Sequence, residues 1–332
     1  ESDRADHRRD ARELLAAVLP DTGKAHRIGI SGVPGVGKST FIEAFGLRLV
    51  DAGHRVAVLA VDPSSSVSKG SILGDTTRME KLSGSDDAFI RPSPTGGSLG
   101  GVARKTRESI LVCEAAGYDM VLVETVGVGQ SEIAVADMVD FFLVLNLAGA
   151  GDELQGIKRG ILELADLIAI NKADGDNETV AERVRVELES ALAILRPAAD
   201  NQWRPRVVTS SAVTGKGLDE IRAIIAEHRK LIESSGELDR RRRDQLLHWM
   251  WAMVDEGIRA AARSHPEVVN RVKNLERDVV EGRTTAAAAA EEIIEAIGLS
   301  AVSYTHLRAH ETILPISYAV FCLKNGGGGG GG

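Results

Sequence analysis

The sequence has few cysteines, no long apolar run and no excess of basic charge. Cys113 and Cys322 are the two cysteines among 332 residues, which excludes a disulfide scaffold and a CxxC metal or redox pair. No run of about 18 apolar residues occurs, so we expect no membrane-spanning helix. With 48 acidic against 40 basic side chains, general nucleic-acid binding is disfavoured. No signal-peptide pattern opens the chain, which favours a cytoplasmic protein.

The two ends of the chain differ from the rest. Residues 302–325 show no helical or strand periodicity, and seven glycines follow at 326–332. Back-translation of residues 302–312 matches a transposase sequencing adapter, and that of 316–323 matches a flow-cell primer. We interpret 302–332 as disordered adapter read-through that does not belong to the fold. Because residue 1 is not methionine, we expect the helical segment at 1–24 to be truncated.

Short apolar runs alternate with helical stretches between residues 25 and 234. The runs are 26–31, 55–61, 88–91, 120–124, 141–147, 167–171 and 206–210. This alternation predicts an α/β domain whose mostly parallel sheet is covered by helices on both faces. Ligands of such domains bind at the carboxyl ends of the strands, where every motif described below falls.

A phosphate-loop motif, GVPGVGKS, follows the first apolar run at residues 32–39. Gly35 and Gly37 let the backbone approach phosphates, Lys38 neutralises the β and γ oxygens, Ser39 can hold Mg²⁺, and Thr40 opens the helix predicted at 40–50. A chance glycine-rich turn is the alternative, but strand, loop and helix stand in the required order. The motif predicts a nucleoside triphosphate site.

The sequence NKAD at residues 171–174 indicates which base is bound. Asp174 can accept hydrogen bonds from N1 and N2 of guanine, a donor edge that adenine lacks, while Asn171 and Lys172 brace the loop. Downstream, Ser211 and Ala212 belong to TSSA, which resembles the GTPase loop behind the guanine. A lone NKxD occurs by chance, but the combination predicts GTP and GDP as ligands.

Acidic residues at the other strand ends are candidates for a magnesium site. Asp62 follows the second strand, Glu124 ends the fourth, and Asp75 lies in a long polar segment. Carboxylate oxygens at strand ends suit Mg²⁺. A helix cap or loop turn is the alternative for each acid, and the placement at strand ends favours the metal interpretation. Gly127 offers a backbone N–H to the γ-phosphate.

The order of motifs resembles the MeaB/ArgK/MMAA family of P-loop GTPases over about residues 5–299. The matching segments are the phosphate loop, VDPSSS, SILGDTTRM, RPSPTGGSLGGVARKT, VETVGVGQSE, AGAGDELQGIKRGI and NKAD. The resemblance implies a GTP-hydrolysing G-protein chaperone of adenosylcobalamin-dependent methylmalonyl-CoA mutase, or of a related B12-dependent acyl-CoA mutase. Such a chaperone gates cofactor loading and protects or reactivates the mutase.

The resemblance also implies residue roles. Ser39, Asp62, Asp75 and Glu124 form the magnesium shell, and Lys38 and Glu124 serve catalysis. Lys158 belongs to an additional switch that accelerates hydrolysis once the mutase is bound. Taken without the resemblance, Lys158 is better interpreted as a solvated helix residue.

Residues 235–301 show helical spacing without a strand, and they resemble the family's C-terminal dimerisation region. We therefore expect a homodimer. Trp249 and Trp251 fit a buried dimer seam, although an intrachain core would use the same residues. The arginine run at 240–243 is interpreted as a solvated helix face, a second helix is expected at 268–297, and Cys113 is interpreted as buried packing.

Three alternatives remain. A nickel-delivery GTPase shares the phosphate loop but needs Cys or His ligands near the nucleotide. A protein kinase of the amino-acid transport (ArgK) type is disfavoured by the guanine-reading Asp174. A non-catalytic nucleotide-binding scaffold is disfavoured by the candidate magnesium acids.

Overall fold

The computed structural model describes residues 4–61, 79–92, 99–125, 131–148, 159–195 and 203–298. The chain divides into two compact units, residues 1–248 and 249–332. Among the described helices, none is long and apolar enough to cross a membrane.

The first unit contains a parallel sheet and its covering helices. The strands are β1 (His26–Gly32), β2 (Val56–Val61), β3 (Ala88–Arg91), β4 (Met120–Thr125), β5 (Phe141–Leu147), β6 (Leu167–Asn171) and β7 (Arg206–Thr209). The helices are α1 (Ala5–Val18), α2 (Lys38–Asp51), α3 (Glu80–Ser83), α4 (Leu99–Ala115), α5 (Ser131–Ala136), α6 (Arg159–Leu164), α7 (Glu178–Leu195) and α8 (Leu218–Ser234), followed by the first part of α9 (Glu237–Ser264). Short 3₁₀ turns lie at Leu19–Asp21 and Gly175–Asn177.

The strand order is β3-β2-β4-β1-β5-β6-β7, and all pairings are parallel. Each strand matches its predicted bounds to within one residue, because buried strands of a parallel sheet are nearly continuous apolar runs. Strand β1 pairs with β4 on one side and with β5 on the other. Loops that leave strands at such a point diverge and open a ligand crevice.

Helices cover both faces of the sheet, as predicted. On one face Ile28 and Ile30 of β1 pack with Phe41 and Phe45 of α2, whose rings stack at 5.6 Å between centroids. On the other face Val121 and Val123 of β4 belong to a core that includes Val135 and Val139. Two buried layers of this kind provide the hydrophobic free energy that stabilises the unit.

Helix α5 lies directly against β1 at Gly29. A methyl group at Gly29 would lie 2.9 Å from Cγ1 of Val135 and 2.8 Å from Cδ2 of Phe142. Both distances are shorter than van der Waals contact, so glycine is required for α5 to approach the strand this closely.

The interpretation of the arginine run at 240–243 as a solvated helix face is wrong for two of its four residues, Arg241 and Arg242. Arg242 donates to Asp140 through Nε at 2.8 Å and Nη2 at 2.7 Å, and its Nη2 also donates to the carbonyl of Ala25 at 2.7 Å. Arg241 donates to the carbonyl oxygen of Asp140. Arg240 and Arg243 are exposed as expected. The difference arises because Asp140 is a fully buried carboxylate that needs cationic donors.

The second unit contains the distal part of α9, then α10 (Pro266–Val280) and α11 (Ala286–Ala296). The expectation of one helix over 268–297 is wrong, because the chain turns at Gly282, which has a φ of 71°. Thr285 then caps α11 by accepting a hydrogen bond from the Ala288 N–H at 3.2 Å. Trp251 is exposed in this chain.

Candidate nucleotide-binding site

The loop between β1 and α2 has the backbone of an anion-binding turn. Gly35 and Gly37 adopt φ values of 83° and 89°, a region that other residues enter only with strain. Gly37 is the residue before α2, so Lys38, Ser39 and Thr40 form the first turn of that helix. Backbone N–H groups in such a turn, together with the helix dipole, favour phosphate oxygens.

Lys38 folds back onto the loop that precedes it. Its Nζ donates to the carbonyl oxygens of Gly32 at 2.7 Å and Val33 at 3.3 Å. Burial lowers the pKa of Lys38, whereas the nearby carboxylates of Glu124 and Glu132 oppose that shift. The ammonium group is therefore held beside the loop, where incoming phosphate oxygens would meet it.

Asn171, at the end of β6, joins two loops that are distant in sequence. Its Nδ2 donates to the carbonyl of Val36 at 2.9 Å, and its Oδ1 accepts from the N–H of Ala212 at 3.3 Å. The neighbouring Lys172, with a φ of 60°, donates from Nζ to the carbonyl of Gly35 at 2.9 Å. The NKAD segment thus braces the phosphate loop.

Asp174 is held by the loop that follows β7. The hydroxyl of the fully buried Ser211 donates to Oδ2 of Asp174 and accepts from the Thr214 N–H at 3.2 Å. The Ala173 N–H donates to the carbonyl of Ser210 at 2.9 Å. These contacts fix the orientation of the half-buried carboxylate.

Two of the four candidate magnesium ligands are described. Ser39 is half-buried in the first turn of α2, and Glu124 is half-buried near the end of β4, where it acts electrostatically on Lys38. A hydroxyl and a carboxylate are hard oxygen donors that fit Mg²⁺. Asp62 follows the last residue of β2 but, like Asp75, lies outside the described residues.

Two further predicted residues lie outside the described part of the chain. Gly127 belongs to the segment after β4, and Lys158 directly precedes α6. The structure therefore brings together the predicted residues of the phosphate loop, NKAD, TSSA and the end of β4, and it describes nothing of these two.

The sequence did not lead us to predict two buried polar features near β1, the carboxylate of Glu132 and the contact between Thr125 and Ser31. Glu132 of α5 is 2% exposed, and Thr125 donates to the Ser31 hydroxyl at 2.9 Å in a buried contact. An acidic residue three positions before Val135, on the core-facing side of a short helix, is the signal that points to Glu132.

The parallel sheet, the glycine loop between β1 and α2, and the bridge made by Asn171 define a P-loop GTPase. Residues 1–267 match the family described as methylmalonyl-CoA mutase-associated GTPase MeaB. The chain therefore belongs to the MeaB family, and the resemblance inferred from its motifs is confirmed.

Similar proteins agree with this assignment. A Caulobacter vibrioides protein that carries the name of a GTPase is 58% identical over 299 residues, covering 90% of this chain and 91% of that protein. The mouse protein named methylmalonic aciduria type A homolog, mitochondrial, is 50% identical over 270 residues, covering 81% and 65%. The crystal structure of a protein named LAO/AO transport system kinase has 39% identity and a TM-score of 0.71, covering 90% and 89%. The activity supported for this chain is hydrolysis of GTP.

Proposed function

We propose that this GTPase is a G-protein chaperone of methylmalonyl-CoA mutase or a related B12-dependent acyl-CoA mutase. In this role it gates adenosylcobalamin loading and protects or reactivates the mutase. The family description and the name of the mouse relative support a mutase partner. The helical extension at 235–301 is proposed to form a homodimer, which the exposed Trp251 is available to stabilise.

The observation that carries the nucleotide assignment is the double hydrogen bond of Asn171. It links the phosphate loop at Val36 to the loop at Ala212. Asp174 accepts a hydrogen bond from Ser211, which belongs to the same loop as Ala212, so hydrogen bonds connect Asp174 to the phosphate loop. We propose that Asp174 accepts hydrogen bonds from N1 and N2 of guanine while Gly35, Gly37, Lys38, Ser39 and Thr40 receive the phosphates.

We propose that Ser39, Asp62, Asp75 and Glu124 hold Mg²⁺. The bound ion would neutralise charge on the β- and γ-phosphate oxygens. Lys38 exchanges its two carbonyl contacts for phosphate oxygens. Water attacks the γ-phosphorus, the bond to the β–γ bridging oxygen breaks, and GDP and phosphate leave. Lys158, delivered by the bound mutase, adds a second cation and accelerates this step as an arginine finger does.

The test is steady-state GTP hydrolysis with and without a candidate mutase, for wild type, Lys158→Ala and the exposed-lysine control Lys230→Ala. We expect the mutase to stimulate wild type and Lys230→Ala, and not Lys158→Ala. If the mutase fails to stimulate wild type, the chaperone proposal is contradicted. Equal stimulation of Lys158→Ala contradicts the switch assignment alone.

Two alternatives are open to direct measurement. The kinase name of the crystallised relative favours testing a kinase function, and transfer of label from γ-labelled GTP to a protein substrate would support it. For nickel delivery, Cys113 is a poor ligand, because it is buried and burial raises its thiol pKa to about 11. Bound nickel after purification would support that role.

A further inference from the structure

Arg48 of α2 makes an ion pair with the start of α8. Its Nη1 donates to Oδ2 of Asp219 at 2.5 Å, across 171 residues of the chain. The two helices cover the same face of the sheet, where Leu49 and Leu218 belong to one buried core. The pair therefore connects the helix that begins at the phosphate loop with the helix that follows β7.

The same guanidinium lies against the loop between β7 and α8. Gly215 of this loop has a φ of 79°, and a methyl group there would overlap Nη2 of Arg48. Glycine is therefore required for the arginine to approach the loop backbone this closely. Because Arg48 meets both Gly215 and Asp219, two contacts on either side of the start of α8 hold the loop to α2.

Hydrogen bonds connect Gly215 to the carboxylate of the NKAD motif. The Gly215 N–H donates to the carbonyl oxygen of Ser211 at 2.9 Å, and the Ser211 N–H donates to that of Lys216 at 2.9 Å. The Ser211 hydroxyl in turn donates to Asp174. The loop at 211–217 is thus closed by its own hydrogen bonds, and a shift at Gly215 changes the position from which Ser211 holds Asp174.

Arg48 lies far from the part of α2 that faces the phosphates. Lys38 is in the first turn of this helix and Arg48 is in its last turn. Ten residues of α-helix separate them by about 15 Å along the axis. Any effect of Arg48 on the nucleotide is therefore expected at the base and not at the phosphates.

We infer that Arg48 is a positioning residue that holds the 211–217 loop against α2 and so keeps Asp174 oriented for the N1 and N2 groups of guanine. This inference rests on the proposed nucleotide site. The base makes the same contacts in bound GTP and in the transition state, so Arg48 lowers KM without changing kcat. Since the Asp219 side chain is 65% exposed, the ion pair is weakened by salt.

The experiment compares wild type, Arg48→Ala and Arg222→Ala by competition binding of GTP and inosine triphosphate. Inosine triphosphate carries the same phosphates but lacks the N2 amino group, so the ratio of the two affinities isolates recognition of the base. Arg222 is the matched control, because its Nε lies 3.9 Å from Oδ1 of the same Asp219 but it belongs to α8 itself.

We expect Arg48→Ala to lower the ratio of GTP affinity to inosine triphosphate affinity about threefold, the size of effect that one partly exposed ion pair supports. The KM for GTP should rise by a similar factor while kcat stays unchanged. Arg222→Ala should keep the wild-type ratio.

Salt gives a second readout of the same contact. Raising the ionic strength from about 0.1 M to about 1 M shortens the Debye length from about 10 Å to about 3 Å. The wild-type ratio should then fall toward that of Arg48→Ala, so that the two proteins converge at high salt.

An unchanged affinity ratio in Arg48→Ala would overturn the inference, as would an equal fall in Arg222→Ala. A purely structural role is recognised by a lower melting temperature with equally weakened binding of both nucleotides, which leaves the ratio at its wild-type value. Failure of the proposed nucleotide site is distinguishable, because wild type would then show no preference for GTP over inosine triphosphate.

Discussion

Arg242 donates two hydrogen bonds to Asp140, a residue 102 positions earlier in the chain, from Nε at 2.8 Å and Nη2 at 2.7 Å. Asp140 is fully buried and also accepts from the backbone N–H of Arg27 at 2.9 Å. Burial by itself would raise the pKa of Asp140, but the hydrogen bond and charge of Arg242, with the charge of Arg27, hold it below its usual value. The pair ties the start of α9 to β1 and β5, at the end of the sheet opposite the nucleotide site.

Asp140→Asn should destabilise the first unit strongly. The change leaves Arg242, which is 12% exposed, without its anionic partner, and uncompensated buried charge costs about 3 kcal/mol or more. The measurement is urea unfolding followed by circular dichroism at pH 7. Glu227→Gln, which breaks the exposed pair with Arg206, is the control and should cost about 1 kcal/mol or less. Equal losses in the two variants would contradict this account of Asp140.

Asn171→Ala should weaken nucleotide binding more than it weakens folding. It removes the hydrogen bonds to Val36 and Ala212 that align the two loops, and we expect about tenfold lower GTP affinity by titration calorimetry. Asn177→Ala, at an exposed asparagine shortly after the same motif, should bind as wild type does. Wild-type affinity in Asn171→Ala would show that the bridge does not organise the site.

Asp174→Asn should change which base is preferred. An amide places a donor where the carboxylate oxygens accept, so we expect about 100-fold weaker binding of GTP. Xanthosine triphosphate, which has an acceptor in place of the guanine amino group, should bind better than it does to wild type. Competition binding of both nucleotides measures the switch, with Asp176→Asn as the exposed control. If Asp174→Asn keeps the wild-type preference for GTP, Asp174 does not recognise the base.

The first unit should lose stability on mild acidification because two histidines are buried in their neutral form. Burial lowers the pKa of His26 to about 4 and that of His228, packed between the rings of Phe141 and Trp203, to about 3. The unfolded chain binds protons near pH 6.5 and the folded chain does not. The unfolding free energy therefore falls as pH drops from about 6.5 toward 4, by about 1 kcal/mol per pH unit for each histidine, and is unaffected by them above about pH 7.5.

Urea unfolding between pH 7.5 and 4.5 measures this dependence. His228→Leu should reduce the slope by about half, because one of the two linked protons is removed. The exposed His7 is the site of the control, and His7→Gln should leave the slope unchanged. A slope that His228→Leu does not alter would assign the acid sensitivity to other groups.

The fold of the first unit and the identity of the nucleotide motifs could be predicted from local sequence. Each strand is a short apolar run, and GVPGVGKS and NKAD are contiguous segments whose chemistry depends on neighbouring residues. The expectation of one helix over 268–297 overlooked local signals, because Gly282 and Thr285 are residue types that end and begin helices.

The order of strands along the chain, the phosphate loop and the guanine motif follow from local sequence, since these depend on interactions over a few residues. Three other features depend on tertiary packing: Asn171 reaches Val36 across 135 residues, two arginines of a charged run meet the buried Asp140, and Glu132 of α5 is buried. They could not be predicted from the sequence, because the burial of a charge and the choice of its partner depend on which elements pack together. Helix and strand periodicity shows which face of an element is buried, and it does not show what that face meets.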